Sequence, residues 1–327
     1  MNIPPIRRSL SVWKRFPLSG SERQVSRSRN LSFFLLAFPL VVMLTLASCG
    51  GASTNTASPG ASSAPDSSTV TSGQVKVVGS TAMLALVSKA ADLYHQSHSS
   101  VQIHVTGGGS LTGLDAVTKH QTDIGDSDIY ADPSVYTDPN LTDHLICATS
   151  FAVIVDPEVN ISSLSTQQIR DIFSEKISNW KDVGGPDLPI SPVIRPSSSG
   201  TRALFEKYVL GGSQESGNPI STDSSTAILD AVAHTSGAIG YVTTSVANSG
   251  VRTIAIDGVS PTTQNIQSGK YKFWGYEHMY TLQNGENATT AFLDFMQSPQ
   301  IQSLISQLGY ISLNAVQSFS PNGSANG

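Results

Sequence analysis

Arg195-Pro196-Ser197-Ser198-Ser199-Gly200-Thr201-Arg202 sets a permanent cation a few residues ahead of a hydroxyl, a glycine and a second hydroxyl. Leu204, Phe205, Tyr208 and Val209 follow at helical spacing, which predicts a helix beginning near Gly200 or Thr201. A serine or threonine at such a start can accept from the first backbone N–H groups, and glycine lets a ligand approach the backbone. Those N–H groups lack internal partners and together carry about half a positive charge. With Arg195 beside it, such a start suits an anion. An ordinary capped helix carries the same signature, so the stretch needs company to mean more.

Two further stretches have the same form. Val75 to Val78 reads as a strand, Gly79-Ser80-Thr81 as a turn, and Ala82 to about His95 as a helix. The buried stripe of that helix is Met83, Val87, Ala90 and Tyr94. Val101 to Val105 alternates like a strand, Gly107-Gly108-Gly109-Ser110 turns it, and Leu111 to Val117 opens another helix. Neither turn carries the lysine of a phosphate-cradling P-loop, which disfavours a nucleotide. Thr122 to Asp128 reads as a short strand running into an acidic loop. Its Asp-x-x-Asp-Ser-Asp run does not continue as an EF-hand, and Asp126 reads as a turn residue. Arg202 reads as a solvated helix residue.

Other elements must bring these starts together. Leu145 to Val155 is a long apolar run, as expected of a strand that leaves one lobe and enters another. Ser165-Thr166-Gln167-Gln168 fits a capping box, and Ile190 to Ile194 a strand feeding the Arg195 stretch. Thr226 to Val232 reads as a helix and Gly237 to Val242 as a buried strand. A second crossing is expected around Val246 to Ile256. Phe292 to Leu308 reads as one or two helices broken at Pro299. Alternating strands and helices define an α/β class with mixed, mostly parallel sheets flanked by helices, whose ligands sit at strand carboxyl ends.

Composition bounds the partners. The 327 residues are 39% hydrophobic but only 13% charged, with room for two domains. Basic residues from Arg7 to Arg29, an apolar run from Leu31 to Ala47 and Leu46-Ala47-Ser48-Cys49 read as an export signal over residues 1–48. Its end resembles the lipobox of bacterial lipoproteins, which makes Cys49 the lipidated residue. Without that segment, 12 basic residues face 23 acidic ones, a formal −11. Such a charge argues against nucleic acid as a partner. Residues 49–73 read as a flexible Ser/Gly/Pro-rich tether, and 318–327 as a disordered tail. Cys147 then has no disulfide partner and reads as a buried thiol.

Taken together, the motifs resemble phosphate-binding PstS proteins of ABC transporters. The resemblance rests on Gly79-Ser80-Thr81, Gly109-Ser110, Asp123-Ile124-Gly125 with Ser127-Asp128, and Arg195 with Ser199-Gly200-Thr201. Ile172-Phe173 with Asn179-Trp180, Gly237 to Tyr241, and Ile256 to Thr262 with Asn265-Ile266 and Gly269-Lys270-Tyr271 complete it. It implies a two-lobed type II periplasmic-binding-protein fold, with lobe I at 74–152 plus 246–317 and lobe II at 153–245. Phosphate would lie between the lobes, against Ser80, Thr81, Ala82, Ser110, Asp128, Arg195, Ser199, Gly200 and Thr201, with Ser127 adjacent. An ionised Asp128 can only accept hydrogen bonds, so it would take the phosphate O–H and repel sulfate. The chain departs from the family at Ile129, where arginine is common, and at Ala82, where a bulkier residue is common.

The resemblance further implies a monomer without cofactors. It would be anchored on the extracytoplasmic face of the cell membrane and serve the permease subunits of an ABC importer. Other readings keep the fold and bind sulfate or molybdate, or sense phosphate without delivering it. A serine phosphatase or esterase built on Ser199 lacks a G-x-S-x-G elbow and a placed histidine. Neither paired cysteines nor His-x-x-x-His spacing suggests a metal.

Overall fold

The structure, a computed structural model, describes residues 72–217, 223–282 and 287–316. The expected export signal, Cys49, nearly all of the tether and the tail lie outside those residues. Strand β1 (Gly73–Gly79) buries Val75 and Val77 and pairs in parallel with β2 (Val101–Gly107) and β3 (Ile124–Ser127). Helices α1 (Leu84–Ser97) and α2 (Ser110–Thr118) make the crossovers. The Leu86, Val87, Ala90 and Tyr94 face of α1 packs inward, as its period requires.

The apolar run expected as a long strand extends backward into β4 (Leu141–Val155), continuously buried from Ile146 onward. A strand covered on both faces has no need to alternate. Its first part pairs antiparallel with β9 (Trp274–Leu282). Its last part pairs antiparallel with β7 (Ala238–Thr243) and with β8 (Arg252–Ile256). Two short strands, β5 (Ser163–Leu164) and β6 (Ser191–Pro192), run parallel to β8 and β7. The sheet is mixed, in the order β2-β1-β3-β9-β4-β7-β6 with β8 and β5 off that path. Its parallel ladders include those joined by helices, and its antiparallel ones involve β4 or β9.

Two main cores follow one another along β4, with a smaller one on the alternate residues Ala152 and Ile154. Val75, Met83, Leu86, Tyr94, Phe292 and Met296 belong to one, and Phe151, Phe173, Trp180, Phe205, Tyr241 and Phe273 to the other. Strand β4 supplies Ile146 and Cys147 to the first and Phe151, Val153 and Val155 to the second. The expected return at 246–256 is corrected here. β8 pairs with Val153–Val155 and β5, and Ile254, Ile266 and Phe273 all join the second core. The chain goes back along β9, which hydrogen-bonds both β3 and β4.

Local chemistry sets the remaining helices. Ser165 and Gln168 form the expected capping box at α3 (Thr166–Phe173). Ser298 caps α8 (Pro299–Gln307), separated from α7 (Asn287–Met296) at Pro299 as expected. The Cys147 thiol is buried and free, and burial pushes its pKa well above the ordinary value. Among the described residues no helix is long and apolar enough to cross a membrane.

Candidate anion-binding site

Helix α4 (Gly200–Tyr208) starts where the sequence places it, with Ser199 as cap accepting from the Arg202 N–H. A fourth helix start joins the three expected ones. Helix α5 (Ser225–His234) is capped by Ser224, which accepts from the Ala227 N–H. The residues before and within these first turns converge on the Arg195 guanidinium, which is 0% exposed.

Arg195 Nε donates to Ser199 Oγ at 2.8 Å and Nη2 to Thr81 Oγ1 at 2.9 Å. Nη2 also reaches Ser225 Oγ at 3.4 Å and the Asp223 carboxylate at 2.6 Å. Nη1 is buried and has no hydrogen-bond partner among the described residues. A guanidinium held on one edge and open on the other can receive an oxyanion. On residues adjacent to these, Asp128 accepts from the Ser80 hydroxyl on one oxygen and from Thr201 Oγ1 at 2.7 Å on the other. Its own N–H donates to Ser110 Oγ at 2.9 Å.

These contacts join residues from both sides of the β4–β9 crossing. The Leu111 N–H donates to Ser198 O at 3.0 Å, and Ser198 Oγ to Gly108 O at 3.3 Å. Glycine is needed where the sides approach. Gly109 has φ near +94°, and a Cβ there would stand 2.6 Å from Ser198 O and 2.8 Å from Asp223 Oδ2. That is closer than any side chain tolerates without the backbone moving.

The structure brings together Ser80, Thr81, Ser110, Asp128, Arg195, Ser199, Gly200 and Thr201. Two expected residues differ in detail. The Ala82 N–H donates to Ser80 Oγ at 3.0 Å, and α1 begins only at Leu84, so a turn replaces the expected helical start. Ser127 faces away from Asp128, because neighbours on a strand alternate. Its hydroxyl donates to Ile129 O at 2.6 Å, closing a local turn. Asp223 and Ser225 belong to the cluster without having been expected. The signal available for them was Asp-Ser-Ser-Thr ahead of an apolar helical period, the mark of a helix start. Burial lifts the Asp223 pKa above the usual carboxylate value, Asp128 adds to the rise and Arg195 opposes it.

Arg202, expected in solvent, is only 15% exposed in its side chain. Its Nη1 donates to Arg195 O at 2.7 Å, its Nε donates to Glu206 at 2.9 Å, and Glu215 lies 3.3 Å away. It thereby braces the backbone that carries the site arginine. Burial raises the Glu215 pKa from 4.5 to about 7. A group whose pKa is raised by folding favours the fold below its unfolded pKa, and that contribution is lost as pH rises through the folded value. The ligand-free protein should therefore lose on the order of 3 kcal/mol of stability across that window. Glu215→Gln should remove the loss, as read by urea unfolding at successive pH values. Parallel profiles for the two proteins would refute this assignment.

Comparison with known proteins bears on the family and the fold. The description "PBP superfamily domain" matches residues 64–300. The phosphate-binding protein PstS of Bacillus subtilis (strain 168) is 36% identical over 280 residues, 85% of this chain and 92% of that protein. Among solved structures, a phosphate ABC transporter substrate-binding protein with bound phosphate, from Clostridium perfringens, is similar at TM-score 0.69 and 26% identity. The match covers 73% of this chain and 99% of that one. An ABC-type phosphate transport receptor from Vibrio cholerae is similar at TM-score 0.59 and 27% identity, over 73% of this chain and 99% of its own. The chain belongs to the phosphate-binding protein PstS family within the PBP superfamily.

Proposed function

We propose that this protein binds inorganic phosphate in the cluster around Arg195 and delivers it to the permease subunits of an ABC importer. The observation that carries this reading is the Arg195 Nη1, buried without a partner among the described residues on a guanidinium whose other nitrogens are held by hydroxyls and Asp223. A dianion or monoanion there gains a fixed cation, the first N–H groups of α4 and the serine and threonine hydroxyls. Asp128 supplies the one strong acceptor. Phosphate retains a proton near neutral pH and sulfate does not, so only phosphate can satisfy that carboxylate.

The two cores act as the two lobes. Closing one on the other excludes water from the ion and creates the surface that a transporter reads. The protein works as a monomer on the extracytoplasmic side, held to the membrane by lipid on Cys49 and given reach by the tether. Relatives of this kind carry ligands and do not turn them over, and the site has the parts for holding an anion.

Calorimetry on the full chain in detergent, first stripped of bound ion, tests the reading. Phosphate should bind one-to-one at about pH 7.5 and sulfate should give no signal, a preference that Asp128→Asn lowers by about 10²-fold or more. An unchanged preference in that variant would remove Asp128 from the role of discriminator. Mass spectrometry of the membrane-bound protein tests the lipid on Cys49.

A further inference from the structure

The interior behind Asp128 holds more acid than the site can balance. In the β3–β9 ladder Asp126 stands opposite Met279 and Ser127 opposite His278. One step further along that register, Asp128 comes opposite Glu277. Alternation then sets Asp126, Asp128 and Glu277 on one face of the sheet, with Cys147 of β4 also paired to Glu277. Glu277 is 0% exposed and Asp126 2%. Neither Glu277 oxygen has a hydrogen-bond partner among the described residues, and Asp126 Oδ1 has none either.

Arg195 is the one buried arginine or lysine among the described residues, and it is already paired with Asp223. Three adjacent carboxylates plus a phosphate would leave several uncompensated charges in a water-free interior, which the protein avoids by keeping acids neutral. Asp128 is the member best furnished with donors, because it alone of the three receives hydroxyls. The other groups near Glu277 offer it no cation. Tyr310 spends its hydroxyl proton on Ala82 O at 2.5 Å, and Cys147 is a buried thiol. His278 projects to the opposite face, where its Nδ1 lies 2.9 Å from Asp143.

We propose that Glu277 is a positioning acid, which stays protonated, donates its O–H to Asp128 and holds that carboxylate ionised and oriented toward the phosphate O–H. The proposal rests on the phosphate reading above. A carboxylate offers about four lone-pair sites. Ser80 takes one on one oxygen, Thr201 one on the other and Glu277 a third, which leaves one for the ligand. Burial, Asp128 and Asp126 all push the Glu277 pKa well above the usual carboxylate range, in keeping with this role. Burial and Asp128 do the same for Asp126. Ionising Glu277 at alkaline pH would remove the donor and set a second negative charge beside Asp128. Phosphate affinity should then fall with rising pH beyond what the ligand's own titration explains.

Two measurements test this on the full chain. With glutamate labelled by ¹³C at the side-chain carboxyl, the signal missing from Glu277→Gln identifies Glu277. It should report a protonated acid at about pH 7.5, with or without phosphate. Titration in the ordinary carboxylate range would overturn the inference whatever ligand is bound. Calorimetry of phosphate binding from about pH 6.5 to 9.5 then compares wild type, Glu277→Gln and Glu277→Leu. The glutamine amide donates without titrating, so that variant should stay within about threefold of wild type at neutral pH and lose the alkaline decline. The leucine variant should lose about tenfold throughout. Coincident profiles for wild type and Glu277→Gln would overturn the role, whereas a wild type silent to phosphate would overturn the ligand assignment.

Discussion

Arg195→Met is expected to lower phosphate affinity by about 10³-fold, equivalent to roughly 4 kcal/mol. The side chain is fully buried and makes four polar contacts, to Ser199, Thr81, Ser225 and Asp223. Its removal withdraws from the anion the only buried guanidinium among the described residues and also leaves Asp223 without its counter-charge. The second effect belongs to stability, not binding, and costs about 3–5 kcal/mol when one partner of a buried pair is deleted. The two effects separate in a double variant. Arg195→Met with Asp223→Asn should recover most of the melting temperature and none of the affinity. Arg195→Lys keeps the charge but replaces a planar fork by a point donor, so it should still lose about 10²-fold. Calorimetry and thermal unfolding on the same samples read both quantities. An Arg195→Met protein within tenfold of wild-type affinity would sink the assignment of this residue.

Gly200→Ala should cost about 10²-fold in affinity while leaving the fold intact. A Cβ at position 200 would stand 2.1 Å from Ser110 Oγ, 2.8 Å from Ser110 Cβ and 3.0 Å from Asp128 Cβ. Ser110 and Asp128 belong to the other side of the site, so the methyl group acts as a wedge between its two sides. The local backbone has no objection, because Gly200 lies in α4 and is not among the residues with positive φ. Alanine is in fact the better helix former. The damage should therefore appear in closure and not in secondary structure. Small-angle scattering with saturating phosphate should show a larger radius for the variant than for wild type. Ser110→Gly in the same chain relieves the wedge at the expense of one hydrogen bond to Asp128, so affinity should partly return. Wild-type affinity in Gly200→Ala would mean that the lobes do not approach along this line.

The sequence alone determined the parts whose causes are local. A helix start depends on a hydroxyl, a few N–H groups and an apolar period within a dozen residues, so the Ser199 and Ser165 caps were legible. So was the buried length of β4, because burial on both faces writes itself as an uninterrupted apolar run. Chain order and spacing also placed Arg195, Asp128 and the hydroxyl-bearing turns at strand ends, where an α/β sheet collects its ligands.

Tertiary structure alone decided which distant groups meet. Nothing local distinguishes β8 from β9 as the return path, since both are short extended runs and the difference lies in which strand edge remained open to each. Asp223 reaches Arg195, and Glu277 comes one register step from the Ser127–His278 pair, only because the sheet register and the packing of α5 bring them there. Arg202 left solvent for the same reason, drawn to the Arg195 carbonyl and the buried Glu215. Hydrogen bonds within one turn are fixed by covalent spacing, whereas a charge buried beside another is fixed by the whole fold closing around both.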